Sequence, residues 1–311
     1  MGALGGGALL AMDQLLSSRD PRRQEVLATW RAAGLFVREE PDHWVVVDGP
    51  GWQSRRRVLA AVAEVASPWP WRWRVRQVVA TTMTVARREL TRRPGPVAVM
   101  ADRQTNGRGR RGRRWESMAG SGLHLSLAWH PGPDLVASGA LTLRVGLAAA
   151  RAAERVTGVR LGLKWPNDGL HRGEKVMGVL CEGGTYPTPW VVAGIGMNVN
   201  GTPPTGVEGA TSLAAITGRP WSRAALAAAI AAETASVMQS GDDAWFLEYQ
   251  ARSRGVTLGR RVRVIGTGSP WEGQAEGVDT TGALWVRRDD GALVGVTAGE
   301  VSLRAAGEDR G

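Results

Sequence analysis

The sequence predicts an α+β protein: a mixed central sheet flanked by helices, with a small all-β unit at the C-terminal end. Three observations carry this. Leu123, Leu125, Leu127 and Trp129 alternate with His124, Ser126 and Ala128, the period of a half-buried strand. Two alanine-rich stretches, 141–156 and 222–238, read as helices. After Gly255 come four short apolar runs separated by glycine turns, the texture of a small barrel. A chain of 311 residues that is 43% hydrophobic and 22% charged has length for two or three such units.

Taken in order, Asp20 and Pro21 supply an N-cap and a first-turn proline for a helix over 20–34. Residues 35–37 and 44–47 read as a hairpin, and 58–65 as a helix. Pro68, Trp69, Pro70 and Trp71 interrupt any regular element, which places a boundary near residue 70. From Val75 the pattern becomes mixed. Thr81 caps a helix to Arg92, residues 97–100 form a strand, and 123–129 form the next. Leu161, Leu163 and Trp165 share one strand face, which puts Lys164 on the other. Residues 176–181 and 190–195 suit adjacent antiparallel strands; Ser222 caps a helix to Met238, and 244–253 forms another. Strands are expected at 261–265, 271–278, 283–287 and 294–297. The resulting division is 1–70, 71–255 and 256–311.

Composition excludes several classes. A single cysteine, Cys181, rules out an internal disulfide framework and a cysteine metal cluster, and four dispersed histidines make a histidine metal site unexpected. We therefore expect no protein-held metal. The apolar start, Met1 to Met12, lacks a basic flank and is too short to span a bilayer, so a cytoplasmic protein with no membrane partner is expected. The net charge of +10 suits anionic partners. Of 39 basic residues only Lys164 and Lys175 are lysine, eleven positions apart.

Three segments carry chemistry. Residues 102–122, DRQTNGRGRRGRRWESMAGSG, link two strands through six arginines interleaved with Gly107, Gly109 and Gly112. Loops of this length are commonly functional. The glycines would let backbone N–H groups approach an anion, and guanidinium forks donate to phosphate or carboxylate. No Walker-type phosphate loop is present. The second segment, KWPND at 164–168, presents Lys164 on a strand, with Asn167 and Asp168 in the following turn; a fixed ammonium there could neutralise charge developing in a transition state. The third, GIGMNVN at 194–200, lacks the last glycine of a dinucleotide fingerprint and is followed by Gly201, Thr202, Pro203 and Pro204, which cannot open a helix. Asn198 can instead offer an amide to a base or ribose.

Together, GRGRRGRRW (107–115), KWPND (164–168), KVMGVL (175–180) and GIGMNVN (194–200) resemble biotin protein ligase, over roughly 75–304. The resemblance implies a biotin/lipoate ligase-type catalytic domain and a C-terminal SH3-like barrel closed by 299–303. It also implies biotin and ATP as substrates, with Mg²⁺ accompanying the nucleotide, and a biotin carboxyl carrier protein as acceptor. Biotinyl-5′-AMP would form first and then acylate the acceptor lysine. By position, Thr81, Thr82, Met83, Gln104, Arg108, Gly109, Arg110, Trp115 and Lys164 would contact biotin. Arg110, Arg113, Lys164, Lys175 and Asn198 would contact the nucleotide. Lys164 would bridge carboxylate and α-phosphate, Arg110 would retain the adenylate, and Asp168 would orient the incoming amine. Two positions depart from the family pattern: Met83 stands where Asn is usual, and Ala80 where an acid is usual.

Some members of that family begin with a DNA-binding winged helix. The helix at 20–34 and the hairpin after it resemble the end of such a domain, in degenerate form. Arg22, Arg23 and Arg31 could reach phosphate, but Arg22 and Arg23 diverge, so specific DNA binding is not expected. The alternatives are a biotin-responsive repressor and a lipoate or octanoate ligase. A homodimer through sheet edges is compatible with the resemblance.

Overall fold

A computed structural model describes residues 66–116, 120–132, 139–201, 209–240, 244–265 and 269–297, together with the backbone of three strands at 36–39, 44–48 and 302–305. The helices expected at 20–34 and 58–65, and Arg22, Arg23 and Arg31, lie outside the described residues. The expected hairpin is present as β1 (Phe36–Glu39) and β2 (Trp44–Asp48), paired antiparallel.

The central sheet has seven strands: β3 (Arg72–Val79), β4 (Val97–Gln104), β5 (Gly122–Trp129), β6 (Gly162–Lys164), β7 (Asp168–His171), β8 (Glu174–Gly184) and β9 (Trp190–Asn198). Their spatial order is β3-β4-β5-β9-β8-β7-β6. Only β3 and β4 run parallel; every other pair is antiparallel. Two elements differ from expectation. Residues 72–79 form an edge strand whose arginines mask the alternation: Trp73 is buried while Arg74 reaches across to Glu89 at 2.8 Å. Asp168, expected in the turn with Asn167, instead opens strand β7, directly opposite Lys164.

Helix α1 (Thr82–Arg92) lies on one face of the sheet. Thr81 caps it as expected, its Oγ1 accepting from the Met83 N–H at 3.3 Å. On the opposite face pack α2 (Ala140–Thr157) and α4 (Arg223–Gln239), with the short α3 (Leu213–Thr217) and α5 (Ala244–Ser253) beside them. The alanines of α2 and most of those of α4 are buried, which allows helix and sheet to approach closely. Helix α4 is apolar on nearly all sides because it is buried on nearly all sides; Ser222 Oγ accepts from the Ala225 N–H. Among the described residues no helix is long and apolar enough to cross a membrane.

The C-terminal unit is a five-stranded antiparallel sheet: β10 (Arg261–Ile265), β11 (Trp271–Val278), β12 (Leu284–Arg288), β13 (Leu293–Val296) and β14 (Ser302–Ala305), in the order β13-β12-β11-β10-β14. It grips the back of the 164–168 segment. Trp165 donates through its indole to the Gly282 carbonyl at 3.0 Å and through its backbone to Thr257 Oγ1 at 2.9 Å. A Cβ at Gly282 (φ 89°) would lie 2.4 Å from the Ala140 nitrogen, so this contact requires glycine.

Arg223, at the start of α4, is fully buried. Its Nη1 lies 3.0 Å from Asp102 Oδ1 and donates to the Gly122 carbonyl at 3.2 Å, tying both stems of the arginine loop to one helix. Replacing Arg223 by Met leaves the Asp102 carboxylate uncompensated and is expected to cost ~3–5 kcal/mol, measured as a fall in the urea midpoint. Near the second stem, His124 gives Nδ1 to the Ala101 carbonyl, while its buried Nε2 has no partner among the described residues. Burial is the largest influence and Arg223 adds to it; together they outweigh the Ala101 carbonyl and Asp102 and push the imidazole pKa down to about 4. The unfolded chain therefore binds the extra proton between pH 6.5 and 4. His124 is expected to contribute to stability at pH 7, and that contribution is lost as pH falls through this window, by at most ~3 kcal/mol. Denaturant titrations of the wild type and His124→Phe at pH 7 and pH 4.5 check the slope, which the variant should lose.

Candidate active site

The site lies on the face of the sheet that carries α1. There the floor is nearly bare. Gly178 on β8 and Gly194 and Gly196 on β9 fall at alternating or directly opposed positions, so their missing side chains share one face. The strand expected at 190–195 thus runs on through the GIG part of the third segment to Asn198. A Cβ on Gly196 would lie 2.4 Å from a ring carbon of Trp115, and one on Gly194 would lie 2.8 Å from the Met83 sulfur. The indole and the thioether rest on the backbone itself.

The arginine loop closes over this floor as a tight hairpin. Trp115 N–H donates to Gly107 O at 3.0 Å, Gly109 N–H to Arg113 O at 2.7 Å, and Arg113 N–H to Arg110 O at 3.3 Å. The turn at its tip places Arg111 (φ 56°) and Gly112 (φ 73°) in the left-handed region. The expectation of backbone N–H groups turned to an anion is corrected at Gly109, whose N–H, like those of Arg113 and Trp115, is engaged within the loop. Gly107 is required for closure, since a Cβ there would be 2.3 Å from the Trp115 carbonyl. The arginines tether the hairpin. Arg108 forms a two-pronged pair with Glu182 on β8, at 2.9 and 3.2 Å. Arg110 donates to Asn167 Oδ1 at 3.3 Å, and Arg111 reaches the Ile265 carbonyl of the C-terminal sheet at 3.5 Å. Asn167 is itself oriented by donating to the Val179 carbonyl at 3.2 Å.

The two lysines occupy different places. Between β7 and β8, Gly169 pairs with Met177 but Leu170 pairs with Lys175, so Val176 is an extra residue, a β-bulge. Val176 and Met177 both enter the core, and Lys175 is thereby turned onto the site face. Its Nζ lies 2.7 Å from Asp168 Oδ1 and 5.6 Å from the Trp115 ring centre. Its backbone is fixed by the Gly209 carbonyl and the Thr211 N–H. Lys164 shares this face but sits on edge strand β6, two strands out from Gly178, and does not line the cavity. Of the two lysines that the sequence singled out, Lys175 lines the cavity and Lys164 lies on the same face, opposite Asp168. Asp168 likewise does not line the cavity and acts on it through Lys175. Asn198 lines it, but its amide N–H groups go to the Thr211 carbonyl at 3.1 Å and the Lys175 carbonyl at 3.5 Å, so it braces the lysine rather than presenting a free donor.

The cavity measures about 300 Å³ and changes character along β9. At Gly194 the polar neighbours are neutral, and apolar ones stand beside them: Ser126 pairs with Gly194 and bonds Thr82 Oγ1 at 2.7 Å, Gln104 Oε1 accepts from the Thr82 N–H at 2.8 Å, and Met83 and Leu180 flank the same glycine. At Gly196 the apolar surface is that of Trp115. Beyond Gly196 the lining is cationic, with Arg110, Arg113 and Lys175. From Gly194 to Asn198 is roughly 13 Å of strand, which suits an extended ligand with a neutral polar head, an apolar body and an anionic tail. Burial lowers the Arg110 pKa, Arg113 and Arg111 lower it further, and the Asp168 carboxylate opposes them.

Thr81, Thr82, Met83 and Gln104 all line this cavity, as do Arg108, Gly109, Arg110, Arg113, Trp115, Lys175 and Asn198. Sequence reasoning missed Asn167, which braces Arg110, and Ser126, although Ser126 fell on the polar side of an alternation already noted. Adjacent Val176 and Met177, two apolar residues where strand alternation allows one, were the available sign of the bulge.

Residues 75–200 match the biotin/lipoate A/B protein ligase family, and residues 257–304 match the biotin protein ligase C terminal domain. A bifunctional ligase/repressor of Bacillus subtilis is 32% identical over 208 residues, covering 64% of this chain; the chain spans 63% of that relative's length. A biotin–acetyl-CoA-carboxylase ligase of Mycobacterium tuberculosis is 35% identical over 211 residues, covering 66% of this chain and 78% of that protein. A solved biotin protein ligase from Aquifex aeolicus, in complex with biotin and ATP, superposes with a TM-score of 0.64 at 29% identity, covering 75% of this chain and 99% of the other.

Replacing Gly196 by Ala forces the indole off the floor. Calorimetric titration with biotin is expected to show affinity reduced by at least about tenfold, or ~1.4 kcal/mol, with the thermal midpoint moving little.

Proposed function

The chain belongs to the biotin/lipoate A/B protein ligase family, and on that premise we propose that it is an ATP-dependent biotin protein ligase. The single observation that carries this reading is the gradient along β9, from Ser126 and Thr82 through Met83 and Trp115 to Arg110 and Lys175. Biotin has that form: a neutral polar ring system, an aliphatic stem and a carboxylate.

In the first step a biotin carboxylate oxygen attacks the α-phosphorus of ATP, the bond to the β-phosphate bridging oxygen breaks, and pyrophosphate leaves. In the second, the carrier protein's lysine amine attacks the acyl carbon of biotinyl-5′-AMP and AMP departs with the bonding pair. Both steps bring anions together, so the protein's contribution is positioning and fixed positive charge. We assign Thr82, Gln104 and Ser126 to the ring head, and Thr81, through its cap, to holding Thr82 and Met83 in place. Met83, apolar where the family has Asn, makes that wall dispersive rather than hydrogen-bonding. Trp115 and the Gly109 turn would cover the stem.

Lys175, in the cavity, shares with Lys164 the bridge between carboxylate and α-phosphate that the sequence suggested. Arg110, held by Asn167, would retain the adenylate, with Arg108 and Arg113 contributing at the mouth. Asn198 supports Lys175. Asp168 pairs with Lys175 and remains our candidate for orienting the incoming amine. Mg²⁺ would arrive as part of the substrate MgATP, held chiefly by phosphate oxygens; among the described residues no three carboxylate, imidazole or thiol groups gather to bind a metal.

We further propose the division 1–70, 71–255 and 256–311, with a winged-helix-like first part ending in the β1–β2 hairpin and an SH3-like last part. The acceptor would be a biotin carboxyl carrier protein, and the setting cytoplasmic, where ATP is supplied. Biotin-dependent ATP–pyrophosphate exchange tests the activity: biotin should stimulate it, while lipoate and octanoate should not. Lys175→Gln should reduce exchange by at least about 10²-fold with the fold retained by circular dichroism. Exchange driven equally by lipoate would overturn the substrate assignment.

A further inference from the structure

Residues 72–93 hold seven arginines and a single acid, Glu89, so β3 and α1 concentrate most of the net charge of +10. None of the seven lines the cavity. Arg87 turns away to cover the Trp190 ring at 4.0 Å; the other six converge. Strand β3 is the sheet edge farthest from β6, and Arg72, Arg74 and Arg76 project from its α1 face at intervals of roughly 6.6 Å. Facing them, Arg88 and Arg92 stand one turn apart on α1, and Arg93 ends it. Only Glu89 lies between the rows. Its Oε2 is 2.8 Å from Arg74 Nε; burial raises its pKa, but Arg74, Arg92 and Arg76 outweigh burial and hold the carboxylate below its usual range. Arg72 is pinned by donating to the Arg93 and Gly95 carbonyls; burial, and then Arg93 and Arg74, lower its pKa. Arg76, Arg88, Arg92 and Arg93 are exposed and make no ion pair among the described residues. Six guanidinium groups thus share one carboxylate, a self-repulsion that a polyanion would relieve. The surroundings say which kind. Protein partners are anchored by apolar and aromatic groups, yet of the large hydrophobic side chains exposed on the described residues only Val78 belongs to this segment. The segment's one ring, Trp73, is buried, so no unpaired base could stack on it. What remains is two rows of guanidinium forks, suited to repeated phosphate oxygens.

We propose that the arginine ridge between β3 and α1 binds the phosphodiester backbone of duplex nucleic acid, without regard to base sequence. The ridge belongs to the unit that carries the cavity, is distinct from the N-terminal part, and does not depend on the ligase reading. From Met83, in the cavity wall, to Arg92 is roughly 13 Å along α1, so a bound duplex leaves the cavity open and the chemistry can proceed on an anchored protein.

The test measures fluorescence anisotropy of short labelled duplexes of unrelated sequence with the full-length protein, between about 50 and about 200 mM salt. A triple variant carries Arg76→Gln, Arg88→Gln and Arg92→Gln. A control of equal charge carries Arg172→Gln, Arg254→Gln and Arg260→Gln, at exposed positions elsewhere. The wild type should bind the duplexes alike. In the triple variant the slope of log affinity against log salt should shrink by about 3, and affinity at the lowest salt should fall at least about tenfold. The control should change little, and biotin-dependent pyrophosphate exchange should be the same in all three proteins. No binding by the wild type, or equal losses in the triple variant and the control, overturns the proposal. Poly-glutamate bound as tightly as duplex, and weakened as much by the triple variant, overturns it in favour of an acidic protein partner. Each of these results leaves the ligase reading standing, since exchange tests that separately.

Discussion

The seating of the Trp115 indole on Gly196 and Gly178 is the contact on which the rest of the site depends. With a Cβ at position 196 the ring could not reach the sheet, and the loop that carries it could not close. Once the ring is down, the hairpin from Gly107 to Trp115 has a fixed base, and Arg108, Arg110 and Arg111 find partners on β8, on the turn before β7 and on β10. The exposed Arg108–Glu182 pair is worth little alone. Its geometry is selected by a close-packed aromatic contact, and several weak tethers then act on one already placed segment.

A second constraint is the unpaired residue in β8. Strand alternation would send Lys175 into the apolar interior beside α2; one extra residue, Val176, reverses the phase. Burying an ammonium there without a partner would cost far more than the local loss of a ladder hydrogen bond. The bulge therefore serves the core and the site together, putting two apolar side chains inward and one cation outward. Asp168 sits at the register position where it can meet that cation, and Asn198, reaching the Lys175 carbonyl from β9, fixes the same point from the other side.

Much of this was legible beforehand. The alternation in 123–129 gave β5 and its two faces, Thr81 gave the start of α1, and the alanine runs gave α2 and α4, because each follows from local periodicity or a single cap. The arginine loop and the lysine segment pointed to an anionic ligand through residue type alone. What was not legible depended on pairing between distant strands. Lys164 and Lys175 look equivalent in sequence, and only the β7–β8 register separates them. The glycines at 194 and 196 had no evident purpose in the sequence because the side chains seated on them, Met83 and Trp115, lie about eighty or more positions away. The loop glycines at 107 and 109 suggested an open backbone, whereas the cross-loop bonds that close it form only once the hairpin has folded. Strand β3 was hidden because an edge strand tolerates arginine at positions where a central strand would not.

The indole N–H of Trp165 ends on the Gly282 carbonyl, next to a turn that abuts Ala140 at the start of α2. Between that indole and the Arg110 guanidinium lie only Pro166 and Asn167. The small C-terminal sheet is therefore in mechanical series with the reactive end of the cavity, a backstop rather than an appendage. Slack introduced in its β11–β12 turn would be transmitted as a rotation of the Asn167 amide, so natural variation in that outlying hairpin has a route to the lifetime of a bound intermediate that never touches it.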